Sequence, residues 1–283
     1  MTTTQFEATF KSQLKSIYDD REANNITDWV FENVTGLKKW QRRNSQNILS
    51  DTQKNQLDKY LKELLQSKPV QYVLNEVWFY KRKYYVNEDV LIPRPETEEL
   101  VEWIIQDSTT TQKRKLHIID IGTGSGCIPV SLKLELSDAV VDAIDISDRA
   151  LLVAKKNAYE LNASINFLQI NFLQNEEWLS LSKYDIIVSN PPYIPNNEKK
   201  ILSKNVADFE PELALFVKDN EPFIFYPQIA DFAQLHLNPD GKIYVEVHEA
   251  YANDVKKIFE TAGFTAIIKK DIYGKERMVR AEK

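Results

Sequence analysis

The segment Leu116-His117-Ile118-Ile119-Asp120-Ile121-Gly122-Thr123-Gly124-Ser125-Gly126 decides the fold of this chain. Residues 116–121 read as a buried strand, and Cys127 to Leu136 continue with a helical pattern. The 283-residue sequence has only seven glycines, and three of them stand here within five positions. Glycine lets a backbone turn tightly and approach a ligand closely. The loop also opens a helix, whose first N–H groups favour anionic or polar ligand atoms. The spacing is Gly-x-Gly-x-Gly, which differs from the dinucleotide fingerprint, and no Gly-Lys-Ser/Thr follows as in a P-loop.

Outward from this loop, strands and helices alternate. Strands are predicted at 116–121, 140–145, 165–170, 184–189, 242–247, 264–271 and 277–281, with helices at 127–136, 148–161, 225–237 and 249–261. That order predicts an α/β fold: a mostly parallel seven-stranded sheet with helices on both faces. Tyr273-Gly274-Lys275 joins the last two strands as an antiparallel C-terminal hairpin. Ligands of such sheets sit outside the carboxyl ends of the strands. Gly122 to Gly126, Asp145, Asn171-Phe172 and Asn190 all fall there. Asp145 ends the second strand about 20 residues past the glycines, where an acid accepts hydrogen bonds from a ribose diol. Its other possible job, helix capping, is filled as well by Ser147 or Asp148.

The strand Tyr184 to Val188 runs into Ser189-Asn190-Pro191-Pro192-Tyr193-Ile194. Two prolines lack N–H groups and have fixed φ, so the corner is stiff and poor in donors. It offers the Asn190 amide and nearby carbonyls as acceptors, with the Tyr193 ring as a stacking face that walls the site. Such a set suits a planar group carrying an NH2, whether a carboxamide or the exocyclic amine of a base.

Residues 1–75 read as a small helical bundle, with stripes such as Phe6, Phe10 and Leu14, or Leu57, Leu61 and Leu64, and a cap at Thr27. Residues 76–92 alternate as a β-hairpin linker through Val77, Phe79, Tyr85-Val86 and Val90-Leu91-Ile92, and residues 93–283 form the third part. Lys81-Arg82-Lys83 reads as a solvated hairpin turn. Pro93-Arg94-Pro95-Glu96-Thr97 starts a helix.

An apolar content of 43% and a charged content of 28% describe a soluble globular protein, and no apolar run is long enough to span a membrane. A net charge of −6 argues against stable binding of nucleic acid. Met1-Thr2-Thr3-Thr4-Gln5 shows no signal-peptide pattern, and the lone Cys127 suits a reducing cytoplasm. His117, His236 and His248 have no ligand spacing, so no metal is expected. Nothing demands a dimer, and a monomer is expected.

Four segments resemble the PrmC/HemK family of release factor glutamine methyltransferases in order and spacing. They are Val90 to Glu98, Asp120 to Gly126, Asn190 to Pro195, and Phe209-Glu210-Pro211-Glu212-Leu213-Ala214-Leu215. The resemblance covers about residue 70 to the C-terminus and implies a class I, Rossmann-like methyltransferase domain using S-adenosyl-L-methionine. It implies N5-methylation of the glutamine in the Gly-Gly-Gln motif of class I peptide-chain release factors, with the helical domain docking that substrate. It also implies cofactor contacts at Gly122, Thr123, Gly124, Ser125, Gly126, Asp145, Phe172 and Asn190. Asn190, Pro191, Pro192 and Tyr193 would bind the substrate, with Asn190, Pro191 and Tyr193 carrying catalysis; Arg94 and Glu96 would shape the entrance. Departures from the family pattern fall at Asn75 and His248, where glycine is usual, at Asn171, where aspartate is common, and at Asp219-Asn220-Glu221. Two rivals remain on the residues alone: an N-methyltransferase of adenine or cytosine amino groups, and a non-catalytic adaptor that binds the same cofactor.

Overall fold

A computed structural model describes residues 2–43, 48–111 and 115–283; Met1, part of the N-terminal stretch read above, lies outside them. The chain divides into two compact units, Met1–Glu76 with Ser203–Phe209, and Val77–Leu202 with Glu210–Lys283.

The first unit is built of helices α1 (Thr3–Leu14), α2 (Asp20–Thr35), α3 (Lys39–Arg43), α4 (Asp51–Leu64) and α5 (Val70–Leu74). Thr2 and Ser50 form capping boxes with Gln5 and Gln53, and the Asp19 carboxylate caps α2. Thr27, expected as a cap, instead lies inside α2, where its buried hydroxyl donates to the Ala23 carbonyl at 2.7 Å. A β-branched hydroxyl within a helix bonds back four residues in this way. Phe10, Leu14, Val30, Phe31, Leu57 and Leu64 pack as the core. Asn75 ends α5 in the left-handed region (φ 54°), a conformation glycine takes freely and asparagine tolerates.

The second unit opens with strands β1 (Val77–Phe79) and β2 (Arg82–Tyr84), paired antiparallel through a turn at Tyr80 and Lys81. The expected hairpin stops there: Tyr85, Val86 and Val90 to Ile92 are not strand. Side chains take their backbone groups instead. Asn157 engages both the N–H and the carbonyl of Tyr85, and Glu210 accepts from the N–H of Ile92.

Helix α6 (Pro95–Thr111) starts on proline, which suits the first helical position. There follow β3 (His117–Ile121), α7 (Cys127–Glu135), β4 (Val140–Asp145), α8 (Asp148–Glu160), β5 (Asn166–Gln169) and β6 (Tyr184–Ser189). The short elements β7 (Ile194–Pro195), α9 (Lys204–Ala207), α10 (Glu212–Leu215) and β8 (Phe216–Val217) precede α11 (Phe225–His236), β9 (Leu237–Glu246), α12 (Ala252–Thr261), β10 (Thr265–Lys270) and β11 (Glu276–Glu282).

The seven-stranded sheet has the order β10-β11-β9-β6-β3-β4-β5. Pairs from β9 to β5 are parallel; β11 pairs antiparallel with both neighbours. The predicted α/β sheet and its C-terminal hairpin are both present. Ile119, Ile121, Ile187 and Val245 pack with Ile229, Phe232 and Val255 of α11 and α12 in one core cluster. Strand alternation therefore turns Ile118 and Asp120 to the opposite face. Because β3, β4 and β6 are parallel neighbours, their carboxyl ends bring residues 121–126, 145 and 189–192 together. Among the described residues no helix is long and apolar enough to cross a membrane.

Candidate active site

The loop after β3 is held by backbone. The N–H groups of Gly122 and Thr123 donate to the Ile144 carbonyl at 2.9 and 3.0 Å, tying the loop to the end of β4. Gly122 and Gly124 sit at φ 75° and 52°, and a Cβ on either would meet nothing within 4 Å. Both line a cavity at this end of the sheet, so the missing side chains leave room in it. Gly126 has a different reason: a Cβ there would come within 3.0 Å of the Ala154 Cβ on α8. It caps α7 from the left-handed region and does not line the cavity, whereas Thr123 and Ser125 do.

Asp145 lines the cavity beside this loop. Its Oδ2 accepts from the Gly124 N–H at 2.9 Å and its Oδ1 from the Ser147 N–H at 2.9 Å. Burial raises its pKa, and the Ser147 and Gly124 N–H groups pull it back. Each carboxylate oxygen can accept a second hydrogen bond, so capacity for hydroxyl donors remains. Ser147 takes the capping duty of α8: its hydroxyl accepts from Ala150 N–H at 3.1 Å.

Phe172 is buried, lines the cavity and stacks on Trp178 at 5.2 Å between centroids. It is thus a core residue and a wall residue at once. Asn171 also lines the cavity, and its Oδ1 accepts from the Leu173 N–H at 3.2 Å. Cys127 lies on the wall too, its thiol pushed up to about 12 by burial. Arg94 lines the cavity and pairs with Glu210, whose other oxygen accepts from Ile92 N–H at 3.1 Å. Glu96 is not a lining residue.

The corner after β6 closes the cavity with Asn190, Pro191 and Pro192. Ser189 anchors it by donating from Oγ to the Ile121 carbonyl at 2.7 Å. Asn190 donates from Nδ2 to Thr97 Oγ1 at 3.1 Å. Thr97 in turn donates to Glu246 Oε2 at 2.6 Å, and Tyr193 donates to Glu246 Oε1 at 3.1 Å. Glu246 is 1% exposed; burial raises its pKa, while Thr97 and Tyr193 lower it. Asn190 Oδ1 accepts no hydrogen bond among the described residues. Tyr193, expected as a stacking face, does not line the cavity. Its hydroxyl is held by Glu246, and its ring meets His248 edge-on at 6.2 Å.

Three structural partners were not identified from the sequence. In the sequence Thr97 belongs to a helix start, Glu246 to the end of a strand, and Asn157 to the middle of a helix, with no further mark on any of them. Asn157 donates to the carbonyls of Ser125 and Tyr85 at 2.8 and 2.9 Å, clamping the glycine loop from behind. The position of Glu246 at the carboxyl end of a parallel strand was the one available signal for it.

The N-terminal part of the chain, residues 8–74, matches the PrmC N-terminal domain, and residues 101–210 match the methyltransferase small domain. The release factor glutamine methyltransferase of Flavobacterium psychrophilum is 42% identical over 97% of this chain and 97% of its own length. The enzyme of the same name from Bacteroides thetaiotaomicron is 37% identical over 98% of both. The chain belongs to the release factor glutamine methyltransferase family. Among solved structures, the hMettl16 catalytic domain superposes with a TM-score of 0.52 at 20% identity, covering 70% of this chain and 74% of that one. That likeness speaks to the fold alone. Within this methyltransferase family, Asn75 and His248 keep workable backbones: Asn75 is left-handed as a glycine would be, and His248 has no positive φ.

Proposed function

We propose that this protein transfers a methyl group from S-adenosyl-L-methionine to the side-chain nitrogen of the glutamine in the Gly-Gly-Gln motif of class I release factors. The observation that carries this reading is one cavity lined by Gly122, Gly124, Asp145, Phe172 and Asn190, in a chain 42% identical to a release factor glutamine methyltransferase.

The cavity's own atoms suit that cofactor. Two glycines leave space where side chains would stand, Asp145 retains acceptor capacity for a ribose diol, and Phe172 offers an apolar wall to an adenine. Bound S-adenosyl-L-methionine supplies an electrophilic methyl carbon on a sulfonium.

A carboxamide nitrogen is a weak nucleophile, because its lone pair is delocalised into the carbonyl. Asn190 Oδ1 and the Pro191 carbonyl accept its two N–H groups and fix its orientation. Pro192 stiffens that wall. As positive charge builds on the nitrogen, these fixed oxygen dipoles stabilise it, and the proton leaves to water. Tyr193 contributes by holding Glu246. Among the described residues none of the helical unit lines the cavity, and docking of the release factor falls to that unit. The enzyme acts as a monomer in the cytoplasm, in keeping with its single cysteine.

Incubation with labelled cofactor, a class I release factor and separate nucleic acid tests the reading. Label is expected in the release factor. Label in nucleic acid alone would overturn it.

A further inference from the structure

We propose that Thr97 and Glu246 are positioning residues: they fix the polarity of the hydrogen-bond chain that ends at Asn190, and so make the site accept a glutamine carboxamide and reject the isosteric glutamate. The inference rests on the functional reading above and deepens it.

With Glu246 ionised, and both Tyr193 and Thr97 donating to it, the direction of the chain follows from proton counting. An ionised carboxylate only accepts. Glu246 receives Tyr193 on one oxygen and Thr97 on the other, at 3.1 and 2.6 Å. The Thr97 hydroxyl has one proton, and Glu246 takes it. Toward Asn190, 3.1 Å away, Thr97 can therefore only accept. The partner it accepts from must be the Asn190 NH2. Turning the amide over would set two acceptor oxygens against each other with no proton between them. With the NH2 fixed on Thr97, Oδ1 is directed away from it, and Asn190 lines the cavity.

This polarity has a consequence for selectivity. Glutamine and glutamate have nearly the same shape, so a pocket cannot separate them by volume. A wall that is an acceptor binds the N–H of a carboxamide and repels a carboxylate. The reversed amide would present an NH2, which would hold a carboxylate instead. Sites that discriminate through hydrogen bonds reject the wrong analogue far more strongly than sites that discriminate by size. The deciding groups are then two residues that act through Asn190, one of which, Thr97, also lines the cavity. Thr97 is fully committed to this task. It stands in the first turn of α6, which starts on Pro95, and its hydroxyl serves Glu246 across 149 positions of sequence.

The test compares wild type, Thr97→Val and Thr97→Ser. The substrates are a class I release factor and the same factor with glutamate replacing the Gly-Gly-Gln glutamine, used as a competitor. Thr97→Val is expected to lower kcat and to narrow the preference for glutamine over glutamate by about tenfold or more. Cofactor affinity should stay within about twofold, and Thr97→Ser should restore the preference. An unchanged preference in Thr97→Val, or no restoration by Thr97→Ser, would overturn the proposal. If Thr97→Val fails to fold by thermal melting, Thr97→Ala takes its place with the same expectation. Exchange of the Asn190 side-chain amide protons, followed by NMR, gives a readout independent of turnover. Exchange about tenfold faster in the Thr97 variant supports the chain, and equal exchange overturns it. A wild type that methylates no release factor would defeat the functional reading, while the exchange experiment would still decide the polarity.

Discussion

The two ends of the cavity are built by different means. The end at the glycine loop is backbone: N–H groups of residues 122–124 bonded to Ile144 and Asp145, with absent side chains leaving the space. The end at Asn190 is side chain: an amide, a hydroxyl, a carboxylate and a phenol from three segments joined in one chain of hydrogen bonds. A backbone site tolerates little change in conformation. A side-chain site tolerates little change in chemistry.

The sharpest break between the ends should come from Asn190→Ala. It removes the acceptor at the nitrogen, so kcat should fall by about 100-fold or more while the cofactor still binds. Single-turnover kinetics with calorimetry of cofactor binding would check this. Near-normal turnover would dissolve the distinction.

Within the backbone end, Gly126→Ala should cost about 2–3 kcal/mol of stability. The new Cβ would sit in the left-handed region and 3.0 Å from Ala154. Chemical denaturation would measure that loss. Gly124→Ala should instead weaken cofactor binding, since its Cβ meets only open space.

Asp145→Ala should weaken cofactor binding by about 1–3 kcal/mol, the scale of hydrogen bonds to a charged group. Calorimetry would show it; unchanged affinity would remove Asp145 from the ribose.

The smallest effect on turnover, felt in stability instead, concerns Asp120, fully buried behind the loop. Neither of its oxygens has a hydrogen-bond partner among the described residues. Burial pushes its pKa up to about 7; nearby Thr123 lowers it in part and Asp145 adds to the rise. The folded state therefore holds this proton more tightly than the unfolded chain. Stability is lost as pH rises from the unfolded carboxylate range to about 7, and the penalty is complete above that. Asp120→Asn should thus stabilise the protein at pH 8 and have little effect at pH 4, measured by thermal melts.

The same contrast explains what could be read from the sequence. The sheet, its order of elements and the C-terminal hairpin follow from local periodicity, and the parallel register then carries Gly122, Asp145 and Asn190 to one end. The glycine loop was legible because its chemistry lies in five consecutive residues. The partners of Asn190 were not, because Thr97 and Glu246 lie 93 positions before it and 56 after it, and the place of Glu246 at a strand's carboxyl end is the one signal between them. The strand expected at Val90 to Ile92 failed for a related reason: a distant carboxylate, Glu210, takes the Ile92 N–H that a neighbouring strand would have used. Tyr193 was read as a wall because it follows the prolines, yet a buried acceptor draws its hydroxyl away from the cavity.

The most direct measurement is mass spectrometry of the Gly-Gly-Gln peptide of a class I release factor after incubation with the protein and S-adenosyl-L-methionine. One added methyl group is predicted on the glutamine side-chain nitrogen, present with wild type and absent with Asn190→Ala. An unmodified glutamine with wild type, or equal methylation by the variant, would contradict the account.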